Sequence, residues 1–139
     1  MTLALGTNAV VKVDIASSLT DVEHVKDASF SKTTNAVDST DNDTDGWITN
    51  LAGNATATFS FTFNYDVTKP TGQTQIHALA MSKAIEEWQF QPDGNVVGAD
   101  EYDFSGFISE LTQPASNDTT LECTATVTVT GTVTRTTIT

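Results

Sequence analysis

The sequence predicts a mainly β protein, built as antiparallel sheet with a single helix lying against it, and three observations carry that expectation. From Asn54 to Val67, "NATATFSFTFNYDV", every odd position is apolar or aromatic and every even position is polar, which is the period-two pattern of a strand with one buried face. From Thr120 to Thr134 the pattern repeats: Leu121, Cys123, Ala125, Val127, Val129 and Val133 share one face, and threonines with Glu122 fill the other. Sheets with one apolar and one polar face are antiparallel as a rule. Against these, only one stretch carries helical spacing.

Taken in order, the first strand is expected at Val10 to Ala16, with Val11, Val13 and Ile15 on one face, and the second at His24 to Lys32, with Ala28 and Phe30 inward. An extended acidic loop, residues 35–53, comes next, containing "DSTDNDTDGWITNLAG". The long Asn54 to Val67 strand leads to the start signal "KPTGQTQ", after which Ile76, Leu79, Ala80, Met81, Ala84, Ile85 and Trp88 form a broad apolar stripe. That spacing turns Gln73, His77 and Lys83 toward solvent. Shorter strands read at Glu87 to Gln91 and at Tyr102 to Leu111, where the apolar phase slips between Phe104 and Phe107 and predicts a bulge at Gly106. "QPDGNVVGAD" and "TQPASNDTT" are turn-rich connections.

At 139 residues the chain is the size of one domain around one core, and no linker or repeat divides it. Its 18 acidic against 6 basic residues give a formal charge of -12. Nucleic-acid binders neutralise phosphates with lysine and arginine, whereas the six cations here (Lys12, Lys26, Lys32, Lys69, Lys83, Arg135) are scattered without interleaved aromatics. The single cysteine, Cys123, forms no intrachain disulfide and falls in the apolar register of its strand. No basic-then-apolar leader opens the chain and no segment is long and apolar enough to span a membrane; cytoplasmic synthesis and no membrane partner are expected.

Catalytic constellations are not evident. His24 and His77 are the two histidines, a surface strand residue and the polar side of the helix respectively. No zinc-like spacing, glycine-rich phosphate cradle or nucleophile elbow is present. Glu86, Glu87, Asp100, Glu101, Asp103 and Glu110 are too scattered to define a glycosidase pair and read as a solvated face. Neither catalytic residues nor a cofactor is therefore expected. Asp41, Asp43, Asp45 and Gly46 match the opening of an EF-hand calcium loop, yet the bidentate glutamate due at position twelve is Ala52 and no paired helices flank it. Those three aspartates are the ligand set of an alternative reading, a calcium-dependent immunoglobulin-like binding or decoration module.

The order of features carries more. The acidic stretch ending in "DGW", the short "ITNLAG", the strand "ATATFSFTFNYD", one helix, "EWQFQPDG", "YDFSGFISEL", an "ND" turn and the final "CTATVTVTGTVT" together resemble the major tail tube protein of long-tailed, non-contractile bacteriophages, over nearly the whole chain. The loop is richer in aspartate than that family's and the residues after "LAG" are smaller.

The resemblance implies an antiparallel β-sandwich or partial barrel flanked by one α-helix, one tail-tube domain over residues 1–139. It implies a structural virion protein that self-assembles into hexameric rings, stacked into a tube whose channel conducts double-stranded DNA at ejection without binding it specifically. The implied partners are the chain itself, a tape-measure protein, and tail terminator and baseplate or tip proteins, with the virion tail as location and the host cytoplasm as site of synthesis. Six copies at -12 carry roughly -72 per ring before counterions, a charge that repels phosphate. Asp38, Asp41, Asp43, Asp45 and Trp47 are then expected at a subunit or ring interface, Trp47 as apolar anchor, with Lys12, Lys26, Lys32 and Arg135 as the basic partners of the aspartates. Thr56, Thr58, Thr62, Thr124, Thr126, Thr128 and Thr130 are candidates for the channel wall or for a surface against a neighbouring subunit.

Overall fold

The computed structural model describes residues 9–40, 46–94, 96–114 and 121–139. Among the described residues, seven strands and one helix run in the order β1 (Val10–Ile15), β2 (Ser18–Asp21), β3 (Val25–Asp38), β4 (Asn50–Asn64), α1 (Thr71–Ser82), β5 (Glu86–Gln91), β6 (Asp100–Thr112) and β7 (Glu122–Thr137). All strands join one antiparallel sheet in the order β2-β1-β5-β6-β7-β4-β3. β4 and β5 lie apart in that sheet, separated by β6 and β7. Yet Phe59 on β4 meets Phe90 on β5 at 4.9 Å between ring centroids, and Phe61 meets Trp88 at 5.9 Å. The sheet is therefore curled over on itself into a sandwich-like partial barrel, and the apolar faces of its two halves fill the space between them.

The alternation read in β4 and β7 places the core. Phe59, Phe61 and Phe63 are buried, and in register opposite them stand Val127, Ala125 and Cys123, also buried. Val11 and Val13 of β1 and Trp88 and Phe90 of β5 supply the facing half. Interdigitated aromatics of this kind bury large area and prefer tilted or edge contacts, and the Phe59, Phe61, Phe63 series follows that geometry.

Several expected boundaries move. β4 stops at Asn64 and Val67 is 78% exposed, because the chain turns at Asp66, whose carboxylate accepts from the Thr68 backbone N–H at 2.9 Å and the Thr68 hydroxyl at 2.7 Å. α1 ends at Ser82, where Lys83 takes a left-handed conformation (φ 62°) and its N–H donates to the Leu79 carbonyl. Trp88 thus belongs to β5 and not to the helical stripe, and Met81 and Ile85 face solvent instead of the core.

Gln73, expected outside, is buried. Its amide nitrogen donates to the carbonyls of Glu23 and Asn64, both at 2.9 Å, and its oxygen accepts from the Asp66 N–H at 3.0 Å. It ties the helix to two separate turns. α1 has no side-chain cap of its own at Pro70; the orphan N–H groups of Gly72 and Gln73 donate instead to the Glu23 carboxylate, carried by the turn before β3. His24 stands in that turn with φ 62° and not in a strand.

The bulge expected at Gly106 is displaced. Gly106 pairs in register with Val129, while the register shifts lie between Asp103 and Ser105 and between Ile108 and Glu110. At the first, two steps along β6 correspond to four along β7, and the extra length falls around Gly131, whose φ of 87° only glycine adopts freely.

Candidate assembly surfaces

The segment read as an acidic loop over 35–53 is mostly strand. β3 continues to Asp38 and β4 begins at Asn50, so the two form one long hairpin. Its outer part is a free arm: residues 31–38 and 50–56 are exposed on both faces, and β4 leaves β7 beyond the Thr58 to Thr128 pair. The arm's end is closed by the Ser39 N–H donating to the Thr49 carbonyl at 2.9 Å and the Thr49 N–H donating to the Thr40 hydroxyl at 2.9 Å. The Asp38 carboxylate accepts from the Thr40 N–H at 2.8 Å, which holds its pKa below the ordinary range.

Trp47 is 77% exposed and Ile48 76%, beside the register pair Val37 and Leu51, which is also exposed. An apolar cluster at the tip of a two-sided strand pair gains nothing from its own chain. Large apolar side chains grouped in this way are uncommon on a surface left to water. Asp41, Asp43 and Asp45 lie outside the described residues, and with them both the calcium reading and their expected interface role. Among the described residues no group of three or more His, Cys, Asp or Glu side chains could hold a metal.

The threonine faces form a single continuous surface. Ser31, Thr58 and Thr128 stand in one cross-strand row over β3, β4 and β7; Ser29, Ser60 and Thr126 form the next; Asp27, Thr62 and Thr124 the third. Ser29 and Ser60 hydroxyls approach to 3.1 Å and Thr62 and Thr124 to 3.2 Å. Thr56 lies beyond these rows on the arm, and Thr130 beyond them on β7, where it pairs with Ser105.

The outer face of the sheet's other half is different in kind. Lys12, Gln89, Asp103 and Thr134 form one row across β1, β5, β6 and β7. The Gln89 amide donates to Glu101 and, at 3.0 Å, to Asp103, and the buried Gln91 amide donates to the second Glu101 oxygen at 3.4 Å. Glu101 and Asp103, read from sequence as a scattered solvated set, are organised here by two glutamines.

The cations divide in a way the sequence did not show. Lys26 pairs with Glu122 at 2.6 Å, Arg135 with Asp100 at 2.7 Å, and Lys12 with Asp21 at 3.9 Å. Hydrogen bonding to those carboxylates pushes the Lys26 and Arg135 pKa values up. Of the four basic residues expected to meet the acidic segment, three are thus engaged within the chain, and Lys32 is without an ion pair among the described residues. Lys69 and Lys83, at the two ends of α1, share that condition and were not anticipated as partners. Their common signal is an unusual backbone, with φ of 56° and 62°.

His24 Nε2 lies 3.2 Å from Asp66 Oδ2, and His77 bridges the Gln73 carbonyl and Gln113. Cys123 is wholly buried, which raises its thiol pKa.

No protein-family model matches the chain and no curated protein matches it. Solved structures do. The fold superposes on a chain from the tail of an empty gene transfer agent particle, solved with C6 symmetry, with a TM-score of 0.83 at 14% identity over 96% of this chain and 99% of that one. The SPP1 tail tube structure, from solid-state NMR and electron cryo-microscopy, matches with a TM-score of 0.80 at 11% identity, over 97% of this chain and 80% of that one. A chain of the sheath–tube complex of an extracellular contractile injection system gives 0.71 at 12% identity, over 98% and 93%.

The architecture is therefore that of the phage tail tube fold, a mainly β fold with one helix. This chain has that fold over almost its full length, and the fold is common to a phage tail tube and to a contractile injection system.

Proposed function

We propose that this chain is the structural subunit of a phage-type tail tube: six copies close a ring, rings stack, and the resulting channel conducts double-stranded DNA. The observation that carries the reading is the free arm, a strand pair exposed on both faces and tipped with Trp47, Ile48, Val37 and Leu51, in a fold shared with assembled tails. Long unpaired strand edges are aggregation hazards unless something completes them, and copies of the same chain complete them in a tube. One continuous sheet also departs from the two separate sheets of an immunoglobulin sandwich.

Stacked copies would place Asp38 and Trp47, with Asp41, Asp43 and Asp45, at contacts between subunits or rings. The hydroxyl rows of Thr58, Thr62, Thr124, Thr126 and Thr128 suit a channel wall, being nearly free of formal charge, while an overall charge of -12 per chain keeps phosphate away. A tape-measure protein inside the tube, and terminator and baseplate or tip proteins at its ends, are the partners this role calls for, in a virion made in a host cytoplasm.

Negative-stain microscopy of the purified chain tests the proposal: rings or tubes with a central hole are expected. A chain that stays monomeric at high concentration, alone and with its tape-measure protein, overturns it.

A further inference from the structure

Where α1 ends early it leaves a feature with no role inside the chain. A groove of about 460 Å³ lies between the C-terminal end of the helix and β6, lined by Ala80, Lys83, Ile85, Phe107, Ile108 and Ser109. Met81, 80% exposed, and Ile85, 58% exposed, stand at this end of the helix. Lys83 is the single charged residue of the lining and has no ion pair among the described residues.

The arm tip has the complementary chemistry: exposed Trp47, Ile48, Val37 and Leu51 beside the carboxylate of Asp38. The two surfaces of one chain cannot meet. Phe107 stands level with Thr128 and Thr58 in the sheet, and Asn50 at the end of the arm is eight residues further along β4, or about 26 Å at about 3.3 Å per residue.

We infer that the groove at the C-terminal end of α1 is the receptor for the arm tip of a second copy, with Trp47 and Ile48 covering Ile85, Met81 and Phe107 while Lys83 meets the Asp38 carboxylate. This deepens the tail-tube proposal and rests on it. A tip-to-groove contact joins two different patches, so it is heterologous and propagates from copy to copy. Burial of the apolar cluster supplies affinity, and Lys83 facing Asp38 supplies orientation. The larger cleft between the arm and β7, about 570 Å³ and carrying Lys32, is the competing receptor.

The test mixes an Ile48→Cys chain with an Ile85→Cys chain under assembly conditions and treats the product with a short bismaleimide; Cys123 is buried and silent. A covalent heterodimer that forms in tubes and not in dilute monomer is the expected result. In parallel, Lys83→Glu lowers tube yield by at least about tenfold while Lys83→Arg leaves it unchanged, and both variants fold normally because the side chain is exposed. Tubes that assemble without the cross-link, or in which Ile48→Cys couples to Val133→Cys of the cleft instead, overturn this inference and leave the tail-tube role standing. A wild-type chain that forms neither rings nor tubes removes both.

Discussion

Replacing Gln73 by leucine tests how the helix is held to the sheet. The substitution keeps the volume of a side chain that is 1% exposed, so no cavity opens. What is lost is polar: the carbonyls of Glu23 and Asn64 and the N–H of Asp66 each lose a partner at 2.9 to 3.0 Å. A buried group left unsatisfied costs about 1–3 kcal/mol. All three sites are partly buried and water reaches them in part, so the low end applies to each and the sum is about 3 kcal/mol. With a urea m-value of about 1.5 kcal/mol/M, the unfolding midpoint falls by about 2 M. The assay is urea unfolding followed by the fluorescence of Trp88, buried at 1% exposure, in a Trp47→Phe background where it is the one remaining indole. A midpoint within about 0.3 M of the parent refutes the assignment of Gln73 as the tie between α1 and the two turns.

Gly106→Ala places a Cβ 2.6 Å from the Thr128 carbonyl oxygen and 2.8 Å from Val127 Cγ1; neighbouring backbone must shift, and a loss of about 2–4 kcal/mol is expected by thermal or urea unfolding. The Asp66 carboxyl is held below its ordinary pKa of 3.8 chiefly by the Thr68 N–H. Its contribution to stability is complete above pH 3.8 and disappears as pH falls through the lower folded value. Wild type and Asp66→Ala should therefore converge in stability on acid titration below that point; a constant gap down to full protonation counts against the assignment. Cys123, buried and with its thiol pKa raised, should be inert to thiol-specific reagents until the chain unfolds, and rapid labelling of the native protein contradicts the core register of β7. Thr58→Lys with Thr128→Lys, on adjacent strands of the hydroxyl surface, should permit ring formation yet retard DNA passage in an ejection assay if those rows face the channel; unaltered ejection places them elsewhere.

Much of the fold was legible because one buried face imprints period two on a strand. Phe59, Phe61 and Phe63 alternate with Ser60 and Thr62, and the core follows. The same rule explains the largest miss. Between Asn35 and Asp38, and from Asn50 to Gly53, neither face is buried, so nothing selects alternate apolar residues and a strand pair reads as a loop. β2 was overlooked for a related reason: Ser18–Asp21 is four residues long and mostly exposed at the sheet edge.

The helix was placed, but its end was not, since Ala84, Ile85 and Trp88 continue the apolar spacing past a lysine that nothing in the sequence marks as left-handed. Gln73 was assigned to solvent because polarity was read as exposure, whereas its three hydrogen bonds depend on turns brought together only by the folded sheet. The acidic and aromatic residues Asp38 and Trp47 stand out by composition, and the structure places both at the end of the arm. The groove at Lys83 was illegible, because it exists only where the helix and β6 happen to diverge.

The borrowed cap on α1 bears on the order in which the molecule takes shape. A helix of 12 residues without an initiating side chain is a poor nucleus in water, and the carboxylate that satisfies its first turn comes from Glu23, 49 and 50 positions earlier than the two N–H groups that donate to it. The helix accordingly waits for the curled sheet and closes it as a latch, so its amides should be the last to gain protection from hydrogen exchange during refolding.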